Sequence, residues 1–420
     1  MRVPMIFRFS LYGFLKNQQY YDPFLILVFR EKGLSFFQIG LLIGFRELAV
    51  TLMEVPTGVI ADLCGRRRSM MLSFAAYILS FILFATSTAL WQLFAAMFLF
   101  AIGEAFRTGT HKAMILDWLR LQGREDEKTK TYGYTRSWSK MGSAVSVIIA
   151  AGLVFYTGRY SDIFWFTIIP YVFGIINFVG YPAELDGRPE SPPSVRNMVA
   201  HLRAAFHQAV LDSRLRRVLV EGMGFESMCK VTKDYLQPVL KQAAIALPLC
   251  LALGERKRTA ILVGAVYFVL YLVSSVASRK AHTFAGRFGG ESRAARRVWL
   301  IAVGVFLVVA VSLWVGELWP AVVGFVVLEL VRNFWRPITI TRVDNEIGPT
   351  MGATMLSIES QAKAAGAMIL APLIGLGVDR LAGSPGQPAL WVVGVAGLGI
   401  ALAGALTPTM KPAPAESSRP

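Results

Sequence analysis

Two short stretches of this sequence set an acid, a base and a second cation-capable group at the same spacing. Glu104, Arg107 and His111 form one, and Glu329, Arg332 and Arg336 form the other, offset by 225 residues at every position. Steps of three and seven place each trio on one face of a helix. Such a set can close an intrahelical ion pair, hold a charged ligand or pass a proton. Fainter echoes accompany it: Tyr20 and Pro23 against Tyr235 and Pro238, and Ser137 and Lys140 against Ser360 and Lys363. Glu47 and Glu54, seven apart, share a helix face and are expected either to load protons or to pack as polar contacts. His111 is the one histidine clearly inside an apolar stretch, which makes it a titratable imidazole and a poor metal site.

Long apolar elements must position these groups. The chain has 420 residues, is 55% hydrophobic and 17% charged, and has a mean hydropathy of +0.51. A soluble domain carries about 25% charged residues, so a polytopic membrane protein is expected. Cys64, Cys229 and Cys250 show no CxxC or metal-like spacing, so no disulfide framework, metal site or cofactor is expected. Twelve spans of about 20 apolar residues are predicted near 8–30, 36–61, 69–87, 90–118, 137–157, 163–182, 216–250, 259–278, 298–316, 319–341, 353–378 and 389–407. The first is read as an uncleaved span, not a signal peptide. This divides the chain into a six-helix bundle over 1–185, a linker over 186–214, a second six-helix bundle over 215–408 and a disordered tail over 409–420. Within the linker, Val199, Leu202, Phe206 and Val210 recur at helical spacing, as in an amphipathic helix on the membrane surface.

The net charge of +16 needs a placement. With both termini in the cytoplasm and the spans alternating, the inner segments hold 24 basic residues and the outer loops 7. The positive-inside rule therefore predicts that orientation and accounts for most of the charge without nucleic acid.

The remaining charges lie within spans. Glu47, Glu54, Glu104, Arg107, Glu329, Arg332, Arg336 and Lys363 would each cost roughly 2.5–3.5 kcal/mol at mid-bilayer, on the order of 20 kcal/mol together. They must pair or face a watery cavity. The first span carries Lys16, Asp22 and Pro23 in a polar run, and the seventh carries Glu226, Lys230, Lys233, Asp234 and Pro238. Two polar, broken helices point to a substrate site between the halves, with Lys16, Asp22, Lys230 and Asp234 as its test residues. A set of solvated gate residues at the outer face is the alternative.

Between the second and third spans the sequence reads Gly58-Val-Ile-Ala-Asp62-Leu-Cys-Gly65-Arg66-Arg67-Arg68. Gly65 permits a left-handed turn. This pattern resembles the G-x-x-x-D-x-x-G-R-[RK] loop signature of the major facilitator superfamily. The resemblance implies an all-α fold of two pseudo-symmetric six-helix bundles, with spans one, four, seven and ten lining a central cavity. It also implies a gating role for Gly58, Asp62, Gly65, Arg66 and Arg67, the aspartate and first arginine holding the halves together in one state. The fifth span, MGSAVSVIIAAGLVF, lacks the Gly-Pro signature of proton-coupled drug antiporters. The expected function is secondary transport of a small solute, anionic or zwitterionic, with protons as coupling ion and membrane lipid as surroundings, by a monomer in the cytoplasmic membrane. Drug or metabolite efflux and a non-transporting receptor are the alternatives. An enzyme is not expected, since no Asp-rich pair, HExxH or nucleophile elbow is present.

Overall fold

The computed structural model describes residues 4–108, 110–186, 207, 211–247, 252–288, 290–346, 352–383 and 388–407. Val199, Leu202, Phe206 and Val210 of the expected amphipathic helix, and the tail beyond Thr407, lie outside the described residues. Among the described residues the chain is all helical. The first half holds α1 (Met5–Lys16), α2 (Leu25–Glu31), α3 (Phe36–Cys64), α4 (Arg66–Thr86), α5 (Leu90–Arg107), α6 (Thr110–Leu121), α7 (Lys128–Thr157) and α8 (Ile163–Val179). The second holds α9 (Ser213–Asp234), α10 (Leu236–Ala246), α11 (Glu255–Arg287), α12 (Glu291–Val315), α13 (Leu318–Glu346), α14 (Gly352–Arg380) and α15 (Trp391–Leu406).

Helices are the solution available to such apolar runs in lipid, because each satisfies its own backbone hydrogen bonds. Eight stretches are long and apolar enough to cross a membrane, and α8 and α15 are shorter apolar helices. Three expected spans are interrupted. The polar run after Lys16 separates α1 from α2, and Tyr235 separates α9 from α10. The third break differs from the sequence reading: α5 ends at Arg107, Thr108 is extended (φ −62°, ψ 120°), and α6 starts at Thr110. Helical periodicity therefore does not carry His111 onto the face of Glu104 and Arg107. In the second half α13 is continuous, and Glu329, Arg332 and Arg336 do ride one helix. Counting each interrupted pair as one, the fifteen α-helices among the described residues reduce to twelve.

Helices α1–α8 pack into one bundle and α9–α15 into another. Aromatic residues fill the first core, with Phe74, Tyr77 and Phe81 each in ring contact with Tyr171. Phe225, Trp299 and Trp335 fill the second. Large apolar side chains such as Leu79, Ile148, Ile176, Val311 and Leu373 stand exposed on the outside, as befits a lipid-facing surface rather than an aqueous one. Across the bundle interface α3 runs against α14, and α7 against α11. Under a two-fold relating the halves, the second and eighth spans correspond, as do the fifth and eleventh, so these two contacts are one contact repeated.

Candidate functional site

The bundles meet most tightly at the end of the molecule that carries the α2–α3, α7–α8, α10–α11 and α14–α15 connections, called here the distal end. Backbone approach is close enough that a Cβ added at Gly40 of α3 would lie 2.4 Å from the Ala371 carbonyl oxygen of α14. One at Gly375 of α14 would lie 2.2 Å from the Phe36 carbonyl oxygen. Small residues at such crossings allow helices to touch through their backbones.

The same end ties helix termini across the interface. The first turn of any helix leaves backbone N–H groups without partners. At α3, Ser35 and Gln38 form a capping box. The N–H groups of Phe36 and Phe37 donate to the two carboxylate oxygens of Asp379, at 3.1 and 2.7 Å. An anion at a helix N-terminus is favoured by the dipole as well. At the break before α2, the Ile26 N–H donates to Gln237 Oε1 at 2.8 Å, and Gln237 Nε2 donates to the Asp22 carbonyl at 2.9 Å. Ion pairs complete the closure. Lys233 meets Asp22 at 3.3 Å, Lys230 meets Glu47 at 2.8 Å, and Arg256 meets Glu31 at 3.3 Å. The Tyr271 hydroxyl donates to Asp22 at 2.7 Å.

Beneath this closure lies a central cavity of about 390 Å³ between the bundles. Of the expected site residues, Asp22, Glu47, Glu54, Lys230, Asp234, Arg332, Arg336 and Lys363 line it. Glu47 and Glu54 share one face of α3, as their spacing implies. Arg332 pairs with Glu329 one turn back and lies 3.9 Å from Glu226. Lys363 pairs with Glu359, itself 2% exposed. Glu54, Asp234 and Arg336 form no ion pair among the described residues.

The other expected residues lie elsewhere. Lys16, Arg107 and His111 line a second cavity of about 330 Å³, inside the first bundle between α1, α6 and α7. Arg107 pairs with Glu104, and Glu104 also accepts from the Tyr77 hydroxyl. His111 is buried, stacked on Tyr12 at 3.7 Å between centroids and 3.3 Å from the Tyr181 hydroxyl.

In the loop between α3 and α4, Gly65 takes φ +96°, and the Asp186 carboxylate fills the space beside it. Asp186 accepts from the Arg67 backbone N–H at 2.9 Å and pairs with its side chain at 3.6 Å. Arg66 pairs with Asp117 of α6, inside the same bundle. Here it does not bridge the halves. A Cβ at Gly58 would meet nothing within 4 Å. The side chain of Asp62 lies outside the described residues.

Several participants escaped the sequence reading. Arg46 lines the central cavity and holds Glu47 through two hydrogen bonds, at 2.9 and 3.1 Å. Its signal was an arginine inside an apolar span. Arg342 was counted with the basic inner segments, yet it is 6% exposed and pairs with Glu221 of α9 at 2.8 Å. Arg217 meets the same carboxylate at 3.0 Å.

The sequence profile described as Major Facilitator Superfamily matches residues 15–371. The chain belongs to the Major Facilitator Superfamily. Comparison with curated proteins finds no match. Solved structures of the superfamily fold superpose over nearly the whole chain. The nucleoside transporter NupG aligns with a TM-score of 0.78 at 13% identity, covering 96% of this chain and 98% of that one. A POT family transporter in complex with 5-aminolevulinic acid gives 0.71 at 16% identity, covering 95% of each. A peptide transporter POT in complex with sulfate gives 0.64 at 14%, covering 95% and 93%. At these identities the likeness shows the superfamily fold of two six-helix bundles and no particular substrate.

Proposed function

We propose that this member of the superfamily is a secondary transporter that moves a small charged organic solute across the cytoplasmic membrane by alternating access. One observation carries the reading: a charged cavity between two bundles is roofed at one end by hydrogen bonds and ion pairs that all cross the bundle interface. A rocking of the bundles breaks these bonds as a set and exposes the cavity to the distal side. With the termini in the cytoplasm, as the basic segments favour, this is an inward-facing state and the distal end is extracellular.

The central cavity carries Arg46, Lys230, Lys233, Arg332, Arg336 and Lys363 against Asp22, Glu47, Glu54, Glu226 and Asp234. Near balance of sign suits a zwitterion, or an anion with polar substituents. Glu54 and Asp234, facing the cavity with no ion-pair partner among the described residues, are the proposed proton carriers. Asp62, Gly65, Arg66 and Arg67 are proposed to stabilise the opposite, distal-open state.

The test is flux into proteoliposomes under an imposed proton gradient, with short peptides and 5-aminolevulinic acid as the first solutes. Gradient-driven accumulation that falls at least tenfold in Glu54→Gln, with normal folding, is expected. Accumulation indifferent to the gradient and to Glu54→Gln removes the proton-coupling assignment. Binding of a solute without flux removes the transporter reading.

A further inference from the structure

The cavity inside the first bundle plays no part in that closure, and its lining has a different character. Lys16, Arg107, Lys112, Arg136 and Lys140 line it, and no carboxylate does. Glu104 neutralises Arg107. The Lys112 ammonium lies 5.4 Å over the Tyr132 ring. None of Lys16, Lys112, Arg136 and Lys140 forms an ion pair among the described residues. Phe9 and Tyr12 supply an apolar wall, and Lys16 and Arg107 sit at the partly buried floor, with Lys112, Arg136 and Lys140 exposed at the rim.

Four cations without a direct ion-pair partner among the described residues stand around one recess, and their mutual repulsion grows where the floor excludes water. A surface patch that only reports membrane orientation has no need of a concave, part-apolar floor. At its rim Lys140 lies within electrostatic reach of Glu329 and of Arg332, the latter lining the central cavity.

We propose that this recess seats the acidic end of the transported solute, and that the solute is a small organic dianion, a dicarboxylate or phosphate monoester. Its remainder points to the near-neutral central cavity. The proposal rests on the transporter reading above and deepens it.

The experiment uses purified full-length protein in phosphatidylcholine nanodiscs, with phthalate and phenyl phosphate as probes and neutral phthalamide as the isostere. Both dianions should raise the melting temperature through preferential binding to the native state, and phthalamide should not. Arg136→Gln and Lys140→Gln should each weaken phthalate binding about tenfold or more, with Arg136→Lys retaining most of it. The same Gln variants should melt higher than the parent without ligand, because each removes a repelled charge. A merely structural role would lower that melting temperature.

The proposal falls if dianions and phthalamide shift the protein equally, if Arg136→Gln leaves phthalate affinity unchanged, or if soluble dianions are inert while phosphatidylglycerol nanodiscs stabilise the protein through these residues. Flux separates the two readings. Dianions that bind through the recess but do not cross a proteoliposome support the recess and defeat the transporter. A neutral solute carried equally well by the parent and by Arg136→Gln supports the transporter and defeats the recess.

Discussion

Gln237 shows how much one neutral side chain can hold. Its amide satisfies the Ile26 N–H and the Asp22 carbonyl, both left over from the break before α2. In Gln237→Leu these groups are stranded only while the distal end is closed, at about 1–3 kcal/mol for each buried group left unpaired. The variant should therefore shift toward a distal-open state. Spin labels at Thr88 and Ala382, exposed on opposite bundles at that end, should report a longer distance, and an unchanged distance would remove Gln237 from the closure. Glu47 is expected to behave differently, because Arg46 and Lys230 both lean on it. Glu47→Gln leaves two cations facing each other across the interface and should cut uptake more than tenfold. Adding Lys230→Met relieves the repulsion and should recover part of it. A double variant no better than the single one would show the pair to be uncoupled. Such partnerships decide what was legible in the sequence. The Glu104–Arg107 and Glu329–Arg332 pairs could be read directly, since both partners lie on one helical turn. Asp379 with Phe36, Asp186 with Arg67 and Glu221 with Arg342 could not, because each joins distant elements.

The same limit holds for whole helices. Apolar runs and their polar interruptions gave the number and order of the spans, and the Pro-containing polar runs marked two of the three breaks. The break at Thr108 carries no proline to announce it, so the repeat of acid, base and third group overstated the likeness of the halves. The helix contacts depend on side-chain volume. Gly40 permits α3 to reach α14, whereas Gly58, further along the same helix, faces open space in this state. Gly40→Leu would drive a side chain into the Ala371 carbonyl and should prevent distal closure, giving a lengthened Thr88–Ala382 label distance and loss of transport. Gly58→Leu should leave that distance unchanged. If Gly40→Leu closes normally, the backbone contact is not what brings the bundles together.

At the scale of the molecule, the +16 charge separates into three populations. Most basic residues flank the helices on the side of the termini, others balance carboxylates in the central cavity, and a smaller group surrounds the recess in the first bundle. Under the proposed alternating access the whole molecule exchanges one set of cross-bundle bonds for another, since the distal bonds described here cannot coexist with a cavity open to that side. A covalent tie across the distal end therefore tests alternating access directly. Glu31→Cys with Arg256→Cys, in a chain freed of Cys64, Cys229 and Cys250, replaces the ion pair at 3.3 Å with two thiols on opposite bundles. Joined by a short bifunctional thiosulfonate, the protein should still bind solute from the side of the termini and should lose net flux entirely. Reduction should restore flux to the level of the unlinked double variant. Either single variant, treated with the same reagent, should transport as before treatment. Flux that persists through a complete cross-link would mean that solute does not pass by opening of this end, and the rocking of the two bundles would have to be abandoned as the mechanism.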